Sequence, residues 1–507
     1  MTSTQTVQSR NPYLEGFLAP VGAEVTATDL EVTGHIPEHL DGRYLRNGPN
    51  PAEEVDPATY HWFSGDGMVH GVALRDGNAR WYRNRWVRSL SVCNTLGDAA
   101  PRRRDPRAGM LSLGANTNAL THAGRTLALV EGGVASYELT EELDTVGTCD
   151  FDGTLAGGYT AHPHRDPRTG ELHAVSYSFA RGRTVQYSVI DTQGRARRTV
   201  DIEVSGSPMM HDFSLTDKYV VIYDLPVTFD PVQVVPASVP GWLGAPARLA
   251  LRSLIGRVRV PGPISAMMNR NPRHTDRMPY AWNPDYPARI GVMPREGRGS
   301  NAGKDDVRWF DIEPCYVYHP LNAYSEMRGG AEVLVLDVIR YSRMFDRDRR
   351  GPGDTPPTLD RWTVNLATGA VTTECRDDRP QEFPRIDETL LGGRHRYGYT
   401  VGFGYLADGA AHPSTALYKH DYATGSREVA HLDPDILIGE MSFVPNPARG
   451  PRDTAEDDGV LMGYGYHRGR DEGQLLLLDA RTLEPMATVH LPQRVPMGFH
   501  GSWAPAG

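Results

Sequence analysis

The residues of this chain with the widest chemical range are its eighteen histidines. Neutral imidazole is the commonest protein ligand for a transition metal, and it also serves as a general acid or base near neutral pH. None of the eighteen forms an H-E-x-x-H pair, so the two-histidine zinc helix of a metalloprotease has no support. No G-x-S-x-G elbow or phosphate-cradling P-loop is present either. The four cysteines, Cys93, Cys149, Cys315 and Cys375, contain no C-x-x-C pair, which argues against a zinc ribbon or a thioredoxin-type site and fits free thiols in a reducing cytosol. GFGYLADG (402–409) and GYGYHRG (463–469) resemble glycine-rich phosphate loops, but neither sits in a strand–turn–helix context, so they read as turn or bulge glycines. Glu141 and Glu142 read as a solvated turn. Histidines spread this widely are what a ligand set gathered from separate elements looks like. Chance produces the same scatter, so spacing alone selects none of them.

The elements that must position any such set are short strands. Strand-like runs meet at Asp-Gly, Thr-Gly and similar turns in 73–87, 171–179, 184–204, 361–375, 416–432 and 474–491, each read as two strands joined by a tight turn. Alternating apolar residues around such turns are hairpin chemistry. No long amphipathic helix separates the hairpins, which argues against a parallel βαβ sheet. Many hairpins in 507 residues fit sandwiches, a barrel or a propeller. Seven propeller blades would take about 70 residues each, more than the roughly 40–45 of a WD40 blade, and the surplus would be loops over one face.

A net charge of −10 argues against nucleic acid as a partner, because phosphate binding needs clustered cationic side chains. Arg102, Arg103 and Arg104 read as a solvated loop. The polar N-terminus lacks a signal-peptide core, residues 1–10 read as disordered, and no run reaches the roughly 18 apolar residues of a membrane span. A cytoplasmic location is expected, with any membrane approached from the side. Segment 235–269 departs from the strand rhythm: Leu249, Leu251, Leu254 and Ile255 share one face of a short helix beside Arg248, Arg252 and Arg257. Such a helix either caps the protein's own core or lies in an anionic membrane interface.

Four histidines stand in segments that resemble the iron-binding motifs of carotenoid cleavage oxygenases: His162 in YTAHPHRDPRTGEL, His211 in SPMMHDFSLTDKYVVIYD, His319 in EPCYVYHPLNAYSE and His500 in VPMGFHGSW. LDGRYLRNGPNP (40–51), YHWFSGDGMVHGV (60–72), ANTNAL (115–120), EFPRID (382–387) and GEMSFVPNP (439–447) match the family as well. The matches run in order from about residue 11 to residue 503. Each is weak alone; the ordered set is specific.

The resemblance implies an all-β fold: one seven-bladed propeller domain over 1–507, with a cap of loops and short helices over the iron-bearing face. It implies Fe(2+) held by His162, His211, His319 and His500, with two octahedral positions left open. It further implies hydrogen bonds from ligand rings to Glu131 (in ALVEGGVASYEL), Glu382 and Glu440, which would fix ring tautomer and basicity. Which glutamate serves which histidine stays open. Thr117 matches a residue whose methyl lies over an open iron position, and Tyr318 an aromatic of the substrate tunnel. His164 lacks the motif position, and His61 and His70 are expected to pack in the core.

The implied reaction adds O2 across one C=C bond of an apolar polyene, giving two carbonyl fragments. The stilbene-cleaving branch carries a lysine just before the first of these glutamates, where this chain has Val130, which favours a carotenoid or apocarotenoid. A retinoid isomerase of the same fold and a non-catalytic scaffold are the other readings. No protein partner is implied.

Overall fold

At Asp76 and Gly77 the backbone takes φ of 50° and 67°. Two successive left-handed residues are what a two-residue hairpin turn needs, because their twist matches that of the flanking strands. Strands Gly67–Arg75 and Asn78–Trp86 accordingly pair with Arg75 opposite Asn78. Ala123–Gly124 (50°, 72°) and Gly329–Gly330 (56°, 81°) close two further hairpins in the same way. Ala123 is the costly one, since its Cβ disfavours that conformation.

In a computed structural model, residues 11–100, 114–230, 279–296, 306–347, 355–405, 411–448 and 456–506 are described. Their hairpins form the blades of an all-β propeller. Blade 1 holds Gly42–Pro49, Gly67–Arg75 and Asn78–Trp86; blade 2 begins at Asn118–His122, blade 3 at His164–Arg165 and blade 4 at Ser214–Leu215. Blade 5 begins at Tyr316–Arg328, blade 6 at Gln381–Arg385, and blade 7 runs from Ile436–Ile438 to Pro485–His490. The first strands of blades 4, 5 and 6 adjoin in turn, as do those of blades 1 and 2, and so line the axis. That explains why Tyr316–Arg328 is buried over nine consecutive residues, whereas the outer strand Arg427–His431 is mostly exposed. Between blades the core is apolar: Leu475, Leu476, Leu477 and Leu478 are all buried in one strand, because both of its faces meet neighbours.

The ring is closed twice. Val32–Gly34 pairs with the last strand of blade 7, and Gly501–Pro505 pairs with Gly42–Pro49, Arg46 facing Gly501. Gly501 is required by close approach: a Cβ there would lie 2.2 Å from the Leu45 carbonyl oxygen. Gly501→Ala should therefore force the closing strand outward and cost about 1–3 kcal/mol, the usual range for overpacking, read from the denaturation midpoint. Unchanged stability would mean that the closure tolerates slippage.

The described residues contain one α-helix, the seven-residue Leu90–Leu96, and a few single 3-10 turns. No helix among them is long and apolar enough to cross a membrane. Residues 1–10, read above as disordered, and segment 235–269, read as a cap or membrane-contact insert, lie outside the described residues.

Candidate metal centre

All four motif histidines stand at the inner edge of a blade. His162 and His211 shortly precede the first strands of blades 3 and 4, His319 lies within that of blade 5, and His500 directly precedes the closing strand. Strand irregularity aims some of them. The pairing register slips on both sides of Pro320, beside His319, and again between Glu382 and Arg385, where Phe383 takes φ of 53°. Such bulges re-aim side chains that a regular pleat would point elsewhere.

The four imidazoles converge. One nitrogen from each lies within 4.8 Å of the others, and the rings are almost fully buried. His211 Nε2 and His319 Nε2 are 3.2 Å apart. The rings of His162 and His211 are 4.3 Å apart between centroids, and those of His162 and His500 4.5 Å.

Carboxylates occupy the opposite nitrogens of three rings. His211 Nδ1 lies 2.9 and 3.0 Å from the two Glu131 oxygens, His319 Nδ1 2.7 Å from Glu382 Oε2, and His500 Nδ1 2.9 Å from Glu440 Oε1. An Nδ1–H donated to a carboxylate leaves the Nε2 lone pair free. Glu382 also accepts from the Tyr341 hydroxyl (2.8 Å) and the Phe383 N–H (2.6 Å). Glu440 also accepts from Arg385 Nε (3.0 Å) and the Gly501 N–H (2.9 Å). His162 has no glutamate; Asp212 Oδ2 lies 3.7 Å from its Nδ1, beyond hydrogen-bond length. Its Nε2 is buried without a hydrogen-bond partner.

The surroundings set the charge on three of the rings. Burial, reinforced by the neighbouring imidazoles, holds His162 well below the usual histidine range. Burial also pulls His500 down to about 4, against the opposing pull of Glu440. His319 is the exception: burial would lower it, but Glu382 outweighs that and raises it. Burial alone would raise Glu440, yet Arg385 and His500 overrule it and keep the carboxylate ionised.

A metal ion fits this donor set. A buried, unpartnered imidazole nitrogen is costly unless something binds it. Four neutral nitrogen donors suit a first-row transition ion and not calcium or magnesium, which take oxygen ligands.

The other residues singled out in the sequence fall around this centre. The Thr117 carbonyl accepts the His500 N–H (3.0 Å), and its hydroxyl donates to Asn116 Oδ1 (3.0 Å). Tyr318 packs edge-on against His211, with centroids 4.8 Å apart. His164 commits Nε2 to Asp212 (2.8 Å), His70 pairs with the Tyr82 hydroxyl (3.0 Å), and buried His61 caps the turn Trp62–Ser64. Residues not singled out also contribute. Phe63 and Phe499 extend the aromatic wall from Tyr318, Phe383 packs against His319 and His500, and Arg385 touches Glu440. All four stand inside the quoted motifs, and for Phe499, Phe383 and Arg385 closeness to a motif histidine or glutamate was the available signal. A cavity of about 100 Å³ opens beside the cluster, bordered by His162, His319, His500, Asp212 and Arg385.

A family model described as retinal pigment epithelial membrane protein, RPE65, matches residues 18–505. The chain is 75% identical over 508 residues to a carotenoid cleavage oxygenase of Mycobacterium tuberculosis, covering 100% of both chains. It is 31% identical to carotenoid 9,10(9',10')-cleavage dioxygenase 1 of Arabidopsis thaliana, over 96% of this chain and 89% of that one. The crystal structure of lignostilbene dioxygenase from Pseudomonas brassicacearum superposes with a TM-score of 0.77 at 26% identity, covering 98% of this chain and 99% of that one.

Proposed function

Because this chain belongs to the carotenoid cleavage oxygenase family, we propose that it is a non-haem iron(II) dioxygenase that splits one C=C bond of a carotenoid or apocarotenoid with O2, giving two aldehydes or related carbonyl products. The observation that carries this reading is the convergence of four buried imidazole nitrogens, three of them backed by carboxylates. Bound iron would supply the activation of O2. The protein's own part is to hold and orient. His162, His211, His319 and His500 hold the ion, and Glu131, Glu382 and Glu440 keep three of the rings in the donating tautomer. Tyr318, with Phe63 and Phe499, offers the polyene an apolar wall, so the bond presented is a matter of positioning. Thr117, whose carbonyl receives the His500 N–H, would limit what reaches the bound ion.

The likeness to a lignostilbene dioxygenase makes a phenolic stilbene the second reading. Against it, Val130 is buried in a cluster with Val87, Ala115 and Val134, which offers no cation to a phenolate. The test is to incubate iron-loaded protein under 18O2 with a panel of carotenoids, apocarotenoids and stilbenes and to identify products by mass. Labelled aldehydes from polyenes alone support the proposal. Products from stilbenes alone would overturn the substrate class. Isomerised polyene without label would point to an isomerase, and no product despite bound iron to a scaffold.

Iron occupancy should depend on pH with a definite sign. A ligand ring must be unprotonated to donate. His319 holds its proton to higher pH than an ordinary histidine, so binding the metal must release that proton. Affinity should therefore fall on acidification, beginning above the free imidazole value of about 6.5. Equilibrium dialysis between about pH 5 and 8 reads it; a flat profile contradicts the ligand assignment of His319.

A further inference from the structure

The three glutamates behind the histidines are not equivalent. Among the described residues, Glu131 and Glu382 form ion pairs only with their own histidines, whereas Glu440 also binds a guanidinium. That group is Arg385, three residues after Glu382 in blade 6. Its Nε donates to Glu440 Oε1 (3.0 Å), the same oxygen that faces His500 Nδ1. Its Nη2 donates to the Gly501 carbonyl (2.8 Å), next to His500 in the closing strand, and its Nη1 reaches Glu388 (2.7 Å). One side chain thus ties blade 6 to the glutamate of blade 7 and to the histidine-bearing backbone of blade 1.

We propose that Arg385 is a positioning residue of the metal centre, fixing Glu440 and His500 across the ring closure while its charge offsets Glu440 and makes His500 the poorest electron donor of the three glutamate-backed rings. This rests on the reading that the four histidines hold iron. Two properties of the guanidinium are involved, and they can be separated. Its planar fork serves Glu440 and Gly501 together, which a lysine ammonium cannot do. Its positive charge, partly buried against Glu440 at the edge of the cavity beside the histidines, would oppose the ferric state more than the ferrous one.

The test compares wild type, Arg385→Lys and Arg385→Gln in the full-length protein. Ferrous-ion affinity is read by competition with a chromophoric chelator, and the ferric-to-ferrous ratio is read at a fixed ambient potential. Arg385→Lys should bind Fe(II) about tenfold more weakly, at the lower end of the loss typical for an outer support. Its ferric-to-ferrous ratio should stay near wild type. Arg385→Gln should raise that ratio about tenfold, as expected on removing one nearby positive charge. Wild-type affinity in Arg385→Lys refutes the positioning role, and an unchanged or lowered ratio in Arg385→Gln refutes the charge role. If Arg385→Gln does not fold, the lysine variant still decides the positioning role. If wild type itself fails to take up one iron per chain, the parent reading fails instead.

Discussion

His500→Ala protein should retain no detectable polyene cleavage and should bind iron more than about 100-fold more weakly, exceeding the 10–100-fold typical of losing only an outer support. The substitution removes one of four donors and leaves the other three where their own blades hold them. It does not orphan a charge, because Glu440 keeps Arg385 and the Gly501 N–H as partners. Folding should therefore survive, and the loss should be local. His211→Ala should behave alike, since His211 Nε2 stands 3.2 Å from His319 Nε2 within the same cluster. His431, exposed on an outer strand, is the control: His431→Ala should bind iron as wild type does. Metal analysis and product assay on the purified variants read the result. Full iron content in either ligand variant would sink the four-histidine centre.

The second large effect is expected at Glu382, where Glu382→Gln should lower iron affinity or turnover by about 10–100-fold. Glu382 is buried and accepts from three donors: His319 Nδ1, the Tyr341 hydroxyl and the Phe383 N–H. A carboxylate can accept from all three. An amide can keep its one oxygen on His319 and Phe383 only by turning its NH2 to the Tyr341 hydroxyl, which must then rotate to accept, and the bond to the imidazole is no longer charge-assisted. His319 also loses the charge that raises its proton affinity. The pH at which acid displaces iron should consequently move down in the variant, even as overall affinity drops. A merely loosened site would lower affinity without that displacement. Wild-type affinity and an unmoved acid limb together would remove Glu382 from the centre.

The hairpins were legible because their turn chemistry is local. Asp76–Gly77 and Gly329–Gly330 mark their turns by residue type alone, whereas Ala123 carries no such mark and adopts the same conformation under the constraint of its paired strands. Val32–Gly34 was not legible as a strand of the last blade, since its partner lies at the other end of the chain. In the site, motif context pointed to four histidines and three glutamates. It set Arg385 near Glu382 but was silent on its partners, Glu440 and Gly501, which stand 55 and 116 residues away.

By itself the sequence determined the strand-and-turn rhythm, the absence of other catalytic motifs and the ordered family segments, all of which depend on neighbouring residues. Tertiary structure decided the pairings. His319 and His500 take glutamates from adjacent blades, His211 takes Glu131 from two blades away, and His162 takes none. The physical reason is that these contacts are set by where a closed ring returns each inner strand and by bulges that turn His319 and Glu382 toward the axis, and neither is encoded within a local stretch of chain.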